Sequence, residues 1–361
     1  YFIPFRVIES GIIRGNYHTI SNVHNFTGWN QRLYFDKDTT NATNEYMENY
    51  FGGYFIYNFI GASAFDLYLN GLFECIDDSH GSRAECTNAV NMSGFISNTR
   101  SITLSNVHSS INLLSKYSHV HVLQSTPYWS LTGLVECEGE GLTIINSSYS
   151  GTIDVVSRWV IASIARLHIG TTDTYTPYCY DYTRNTLTTN LVSGTSFTGK
   201  ILVHGRNFVT GFYISESAQT TNARTLSILD CYVGGYIDSG EHTIDVGGTA
   251  YVYNSNENDE IYIANCIDET QFNVNSAGYN TTSYSYAVGT HNTLHKGTLT
   301  LSNVIVNNSK VKNVYKTTTT TDATDVTGLL KSKDRLEALG YNMSYPWAIS
   351  SSVNSGKIYL R

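Results

Sequence analysis

Short strand-like segments that close on Asn or Asp recur along this 361-residue chain, and no other feature limits its possible folds as much. Five copies are evident: 102–106 (ITLSN), 142–146 (LTIIN), 226–230 (LSILD), 261–265 (IYIAN) and 299–303 (LTLSN). Their closing residues lie 40, 84, 35 and 38 positions apart. The chain therefore repeats about every forty residues, and the double spacing predicts a degenerate copy between Asn146 and Asp230.

A stretch within that gap matches its neighbours position for position. Residues 197–201 (FTGKI) align with 149–153 (YSGTI) before them and with 233–237 (VGGYI) after them. Each copy therefore predicts a strand, a polar turn and a second strand.

The pattern of each copy favours an all-β solenoid. Strand side chains alternate between two faces, so one such unit cannot bury its apolar face alone, whereas stacked copies share a continuous core. The closing Asn or Asp suits a turn, and equivalent Asn side chains can stack as a ladder. We predict a parallel β-helix. A β-propeller with four strands per repeat is the alternative, although no recurrent Trp-Asp or Gly-His signature accompanies the repeat, and a sandwich has less support.

The ends of the chain differ from the middle, as the terminal units of a solenoid must. We expect a β-helix over 1–315 with an aromatic-rich insertion at about 24–70, a Thr-rich linker over 316–326, and a C-terminal helix and strand cap over 327–361. The helix carries an apolar stripe and a glycine stop, formed by Leu329, Leu330, Leu336, Leu339 and Gly340.

Composition excludes several classes of protein. Charged residues make up only 14% of the chain and the net charge is −8, so no basic surface for nucleic acid is expected. No stretch reaches the length of about eighteen apolar residues that a transmembrane helix needs. With 41% hydrophobic residues the chain can bury a sizeable core.

Asn-x-Ser/Thr sequons indicate a glycosylated protein that is secreted or exposed at a cell surface. The seven candidate sites are Asn25, Asn41, Asn91, Asn146, Asn280, Asn307 and Asn342. A chain this rich in Asn, Ser and Thr also produces sequons by chance, so that explanation remains open.

The six cysteines contain no C-x-x-C pair, and we therefore expect neither zinc nor any other metal or cofactor. Cys75 and Cys86 flank a polar loop that a disulfide could close, stabilising the fold by roughly 2–3 kcal/mol. Free, buried thiols are the other interpretation.

Clusters of acidic residues are the candidates for catalytic groups. Three sets stand out: Asp77 and Asp78 with His80; Glu136, Glu138 and Glu140; and Glu216, Asp238, Glu241 and Asp245. A retaining glycosidase needs carboxyls about 5 Å apart, which is near the spacing of stacked strands. We interpret all three sets as solvated carboxylates in turns. No G-x-S-x-G elbow and no phosphate-binding glycine loop occurs, so we predict no catalytic residues and no enzyme.

Tyrosine is unusually frequent, with 28 copies. Runs at 46–57, 175–182 and 279–286 suit stacking on sugars or docking on a protein, because a phenol joins an apolar ring to a polar tip. The simpler interpretation is that these rings cover the outer faces of sheets.

Several phrases, in order, resemble the bacterial and protist surface proteins that carry GLUG motifs. Residues 11–23 (GIIRGNYHTISNV) are similar to the family's opening, 71–74 (GLFE) to its G-L-F-G sequel, and 336–349 (LEALGYNMSYPWAI) with 354–361 (NSGKIYLR) to its ending. Eroded copies of the central motif lie at 133–136, 162–165, 210–213 and 247–250. Most of them lack the second glycine.

The resemblance implies a right-handed parallel β-helix and an adhesin-like role. Some family members accompany metallopeptidases, but no H-E-x-x-H occurs here and that chemistry is not implied. We therefore expect a non-catalytic, extracellular surface or fibre-forming structural glycoprotein. Its partners would be itself, neighbouring surface proteins or glycans. The alternatives are a β-helix lyase or hydrolase acting on glycans, and a carbohydrate-binding module.

Overall fold

The computed structural model describes fifteen parts of the chain: residues 5–28, 54–77, 91–117, 130–138, 141–155, 160–168, 189–203, 208–215, 225–238, 245–253, 255, 257–273, 284–290, 296–307 and 326–361.

Strands dominate these residues, and the two α-helices, both short, lie near the C-terminus with one 3₁₀ turn at Asn354–Gly356. The strands are β1 Phe5–Glu9, β2 Ile12–Gly28, β3 Ile56–Ile60, β4 Ser63–Asp77, β5 Asn91–Ser93, β6 Ile96–Arg100, β7 Ile102–Tyr117, β8 Ser130–Thr132, β9 Val135–Glu138, β10 Leu142–Ile145, β11 Ser148–Tyr149, β12 Thr152–Val155, β13 Val160–His168, β14 Thr189–Ser193, β15 Ser196–Phe197, β16 Lys200–Val203, β17 Phe208–Ser215, β18 Thr225–Leu229, β19 Tyr232–Val233, β20 Tyr236–Asp238, β21 Asp245–Val252, β22 Glu260–Ala264, β23 Ile267–Asp268, β24 Gln271–Asn273, β25 Tyr284–Thr290, β26 Thr298–Ser302, β27 Ile305–Val306, β28 Trp347–Ile349 and β29 Ile358–Leu360. The helices are α1 Val326–Leu330 and α2 Lys333–Ala338.

Two long, curled parallel sheets contain β1 to β27, so the predicted all-β, parallel architecture is confirmed. The first sheet follows the order β1-β3-β6-β9-β13-β17-β21-β25, with β5 and β8 joined to it. Each strand pairs in parallel with the strand that the next repeat supplies, as parallel pairing across a long connection requires. We call the strands of one repeat a rung.

The second sheet begins with long strands and continues with short ones. Strands β2, β4 and β7 have 17, 15 and 16 residues and form the first three rungs. From the fourth rung onward each long strand is replaced by shorter strands in three columns: β10-β14-β18-β22-β26, β11-β15-β19-β23-β27 and β12-β16-β20-β24. The bends of the long strands therefore become the breaks between the short ones.

The register confirms the degenerate repeat. Phe197 lies opposite Tyr149 on one side and Val233 on the other. Ile201 lies opposite Ile153 and Ile237 in the same way. The alignment made from the sequence is thus the alignment of neighbouring rungs.

A corner in the left-handed backbone region follows the first column and recurs on successive rungs. Its residues have φ near +50° to +60°: Asp66, Asn106, Asn146, Gly194, Asp230, Asn265 and Asn303. Most L-residues lose roughly 1–2 kcal/mol in this region, which Gly adopts freely and Asn and Asp tolerate. The amide of Asn303 donates to Oδ1 of Asn265 at 3.2 Å, and Asn106 donates to Asp66 at 2.8 Å. The predicted side-chain ladder is therefore present at these steps, whereas Gly194 keeps the corner's backbone conformation without a side chain to join it.

The residue that follows each corner is buried, and on the middle rungs it carries a small side chain that donates a hydrogen bond. On four consecutive rungs a hydroxyl or thiol donates to the carbonyl oxygen two residues earlier, at 2.9, 3.2, 3.2 and 3.3 Å: Ser147, Thr195, Cys231 and Cys266. At three of these corners the same carbonyl also accepts a backbone N–H of the preceding rung, so the small polar side chains add a second hydrogen bond inside the corner.

The C-terminal segment packs against the outward side of the last rungs. Its buried residues contact Ile267 and Ile305 of the middle column, and Tyr341 donates a hydrogen bond to the carbonyl of Asn303 at 2.6 Å. Helices α1 and α2 are separated at Lys331 and Ser332, and β28 pairs antiparallel with β29. No helix in the described ranges is long and apolar enough to cross a membrane.

Candidate functional site

A row of outward side chains runs along the second sheet, two residues beyond the corner ladder. Neighbouring rungs place its members directly opposite one another: Tyr68, His108, Ser148, Ser196, Tyr232, Ile267 and Ile305. The residues before them, such as Val107 and Cys231, are buried in the core, so the row faces the other way. We call this set the outer row.

Four polar groups form one hydrogen-bonded line at the second, third and fourth rungs, which we call the relay. Nδ1 of His108 lies 2.7 Å from Oγ of Ser148. Nε2 of His108 lies 2.6 Å from Oδ1 of Asn106. Nδ2 of Asn106 donates to Oδ1 of Asp66 at 2.8 Å. Parallel register brings these groups together although Asp66 and Ser148 are two repeats apart.

The chemistry of the groups fixes the direction of each hydrogen bond. A carboxylate only accepts, so Asn106 presents its NH₂ to Asp66 and therefore its oxygen to His108. Because that oxygen cannot donate, Nε2 of His108 carries the proton and Nδ1 is left as an acceptor. Ser148 must then donate its hydroxyl proton to Nδ1, which is the arrangement of a nucleophile beside its base.

The surroundings keep the imidazole neutral. Burial lowers the pKa of His108 below its usual value, because desolvation penalises the charged ring. The ring of Tyr68 stacks on His108 with centroids 4.8 Å apart. Ser148 remains partly exposed.

The relay is not predicted from the sequence, because the motif sought there for a nucleophilic serine is a strained elbow. The signal was the spacing of 40 that separates Asp66 from Asn106 and His108 from Ser148.

The acidic run near residue 136 differs from our prediction. We interpreted it as solvated, whereas Glu136 is fully buried and accepts a hydrogen bond from Nη1 of Arg166 at 2.5 Å. The two residues lie opposite each other on adjacent strands. A buried charge needs such a partner, and the arginine that supplies it comes from the next repeat, 30 residues away. Glu140 lies outside the described residues.

A second carboxyl, Asp268, is also fully buried, in the inward row that contains Val233 and Val306. Its Oδ1 accepts the backbone N–H of Thr270 at 3.0 Å, and its Oδ2 accepts the hydroxyl of Thr249 at 3.4 Å. Burial raises the pKa of Asp268 to about 6, although these hydrogen bonds act in the opposite direction. No sequence pattern indicates this burial, because an aspartate at the end of a strand normally predicts a turn.

Of the remaining acidic candidates, the structure describes the strands that hold Asp238 and Asp245, and these belong to different sheets. Asp238 ends β20 in the second sheet, whereas Asp245 begins β21 in the first. Glu216, Glu241, Asp78 and His80 lie outside the described residues, as do the tyrosine run at 175–182 and parts of the other two runs.

Among the sequons, the structure describes the side chains of Asn146, Asn307 and Asn342. Asn146 occupies the corner ladder, and Asn307 donates from Nδ2 to Glu269 at 2.7 Å. Asn342 is exposed, and its Oδ1 accepts hydrogen bonds from the hydroxyl and the backbone N–H of Ser344 at 2.6 and 3.1 Å. The side chains of Asn25 and Asn91, and the whole of Asn41 and Asn280, lie outside what is described.

The predicted disulfide is not tested, because Cys75 lies in β4 but Cys86 lies outside the described residues. Cys231 and Cys266, in contrast, are free and buried. For these two cysteines the structure contains free, buried thiols, which is the second interpretation given above.

No family model, curated protein or solved structure matches this chain. The resemblance to GLUG surface proteins therefore stays a prediction.

Proposed function

We propose that the chain is a structural protein of an extracellular surface that binds a second copy of itself through its first rung. In this proposal the two sheets are the faces of a right-handed parallel β-helix of the GLUG type, glycosylated and without catalytic turnover. Right-handed crossovers are the rule between parallel strands of one sheet, which supports the hand. The main support for this proposal is that the first and last rungs differ in how much apolar surface they expose.

The first described rung carries exposed apolar side chains at an edge of both sheets. Among the described residues, β1 and β2 pair with strands on one side only, β3 and β4. Large apolar side chains on this rung are exposed: Phe5 by 49%, Ile12 by 62%, Tyr17 by 68% and Ile20 by 42%. An edge with unpaired N–H and C=O groups beside exposed apolar residues is a template for another strand.

The last rung exposes fewer large apolar side chains than the first. Strands β26 and β27 have no further strand partner in the described part of the chain. Of their inward apolar residues, Leu301, Val304 and Val306 are 7%, 0% and 6% exposed, and Leu299 is partly buried. A head-to-tail filament needs both ends free, whereas a two-fold pair needs only one surface on each copy. The geometry therefore favours a closed dimer joined at β2 over an open fibre.

Light scattering on the purified chain tests this role. We expect the mass of a dimer for the wild type and of a monomer for Ile12→Lys with Ile20→Lys, because the charges would be buried at the new strand pair. Thr300→Lys places the same charge at an exposed position of β26 and should leave the dimer intact. A wild type that stays monomeric at high concentration, or a dimer that survives the first-rung charges, would refute the proposal.

A further inference from the structure

The relay places a serine hydroxyl, an imidazole and an amide in one hydrogen-bonded line on an outward surface. We propose that Ser148 is an activated nucleophile that accepts an acyl group from a carboxylic ester, with His108 as its base and Asn106 as the group that positions the base. This site goes beyond the structural role proposed above and does not depend on it.

The relay differs from the rest of the corner ladder. At the last rungs the corner amides bond to each other, as Asn303 does to Asn265. At the third rung Oδ1 of Asn106 is instead 2.6 Å from His108. Asp66 holds the other end of that amide, so the oxygen cannot rotate away without losing the 2.8 Å hydrogen bond. The imidazole is thus held in the tautomer that accepts a proton from serine.

Its place in the outer row makes this pair of rungs different from the others. The equivalent positions on later rungs hold Tyr232, Ile267 and Ile305, and none of these is a base. Only between the third and fourth described rungs does a histidine lie opposite a serine in this row. The next member, Ser196, lies opposite Ser148 and carries a hydroxyl that can donate to a developing oxyanion.

The step balances without any further reactant. Oγ of Ser148 attacks the carbonyl carbon of the ester, and its proton passes to Nδ1 of His108. The tetrahedral intermediate then collapses, the bond to the leaving alcohol breaks, and the alkoxide takes the proton from His108. The products are an ester on Ser148 and a free alcohol, with the imidazole neutral again.

A tagged fluorophosphonate and p-nitrophenyl acetate probe the full-length chain. With the fluorophosphonate, Oγ bonds to phosphorus, fluoride leaves and the proton goes to His108. We expect the added mass on the peptide that contains Ser148, and one equivalent of p-nitrophenol released rapidly per chain. Ser148→Ala should abolish both. His108→Gln should slow both by roughly 100-fold or more, the usual contribution of a general base. Ser227→Ala removes another outward, partly buried serine and should change neither rate.

A paired exchange tests the positioning role of Asn106. Asn106→Asp alone sets two carboxylates side by side and should slow labelling. The double variant Asp66→Asn with Asn106→Asp again places an amide donor opposite a carboxylate. It also keeps Asn or Asp at both left-handed corners. Its labelling rate should therefore equal or exceed that of the wild type. A purely structural role would give no such recovery. Far-ultraviolet circular dichroism of each variant shows that it is folded.

Three results would overturn the proposal: no label on folded protein, equal labelling of Ser148→Ala, or equal labelling of His108→Gln. Continued turnover that requires Ser148 would support the site and refute the non-catalytic role, whereas loss of the dimer would leave the site untouched. The two proposals therefore fail separately.

Discussion

The indole Nε1 of Trp347 donates a hydrogen bond to Oδ1 of Asp230 at 3.0 Å, across 117 residues of chain. Trp347 is fully buried in the C-terminal segment, and Asp230 is a corner of the ladder. Burial raises the pKa of Asp230, while the hydrogen bonds from Trp347 and Asn265 act in the opposite direction. The segment is therefore attached to the stack at one of its repeating corners.

Trp347→Phe should weaken this attachment. The ring would still fill most of the space, but a partly buried carboxyl would lose a donor, which typically costs about 1–2 kcal/mol. Urea unfolding of the two proteins measures the difference. Tyr345→Phe removes only the hydroxyl of a half-exposed ring in the same segment and should leave the midpoint unchanged. Equal midpoints for all three proteins would contradict the attachment.

Stability should fall as the pH rises through 6, because of Asp268. Its folded-state pKa of about 6 lies above the ordinary value of 3.8, so folding favours the protonated form. The stabilisation is complete below pH 3.8 and is lost as the pH passes 6, a change of about 3 kcal/mol. Thermal unfolding between pH 4 and 8 measures it. Asp268→Asn cannot ionise and should remove this slope, whereas an unchanged slope would refute the assignment.

At the corners, substitution by alanine should destabilise the protein more than substitution by glycine. Asn265 has φ +52°, where alanine loses roughly 1–2 kcal/mol and glycine does not. Both substitutions remove the hydrogen bond from Asn303. The difference between the stabilities of the two variants therefore reports the cost of the backbone conformation alone. We expect Asn265→Ala to unfold at a lower urea concentration than Asn265→Gly. The opposite order, which is normal in regular strands and helices, would show that the corner is not left-handed.

Glycan should be found at Asn342 rather than at Asn307. Asn342 is exposed, whereas the amide nitrogen that would carry the sugar on Asn307 donates to Glu269. Expression in a eukaryotic secretory host, followed by peptide mass spectrometry, reports the occupancy of each site. Asn342→Gln is the control. A fully occupied Asn307 would contradict the hydrogen-bonded state of its side chain.

The sequence predicted the stack because its signal is periodic. Asn106, Asn146 and Asn303 recur at equivalent steps, and the stretch at 197–201 aligned correctly even though Gly194 replaces the expected Asn at its corner. Stacking follows from local alternation and turn chemistry, which one repeat displays by itself.

The relay and the buried carboxyls could not be predicted in the same way. Ser148 meets His108 only because the rungs are in register, and Glu136 is buried only because Arg166 lies opposite it. Likewise Ile267 and Ile305 face outward, and only the folded chain shows that the C-terminal segment covers them. Such contacts depend on which residues of different repeats become neighbours, and no single repeat contains that information.

Distances between nitroxide labels on the second sheet test the stacked register most directly. The labels would be attached to introduced residues that carry a ketone, so that the native cysteines stay unmodified. Each sample would have one label at position 271 and the other at position 200, 152 or 112. These three positions lie two, three and four rungs away from position 271. Electron paramagnetic resonance should give distances that lengthen by about 4.8 Å for each rung. Steps of unequal size, or a distance that shortens between three and four rungs, would contradict the stack.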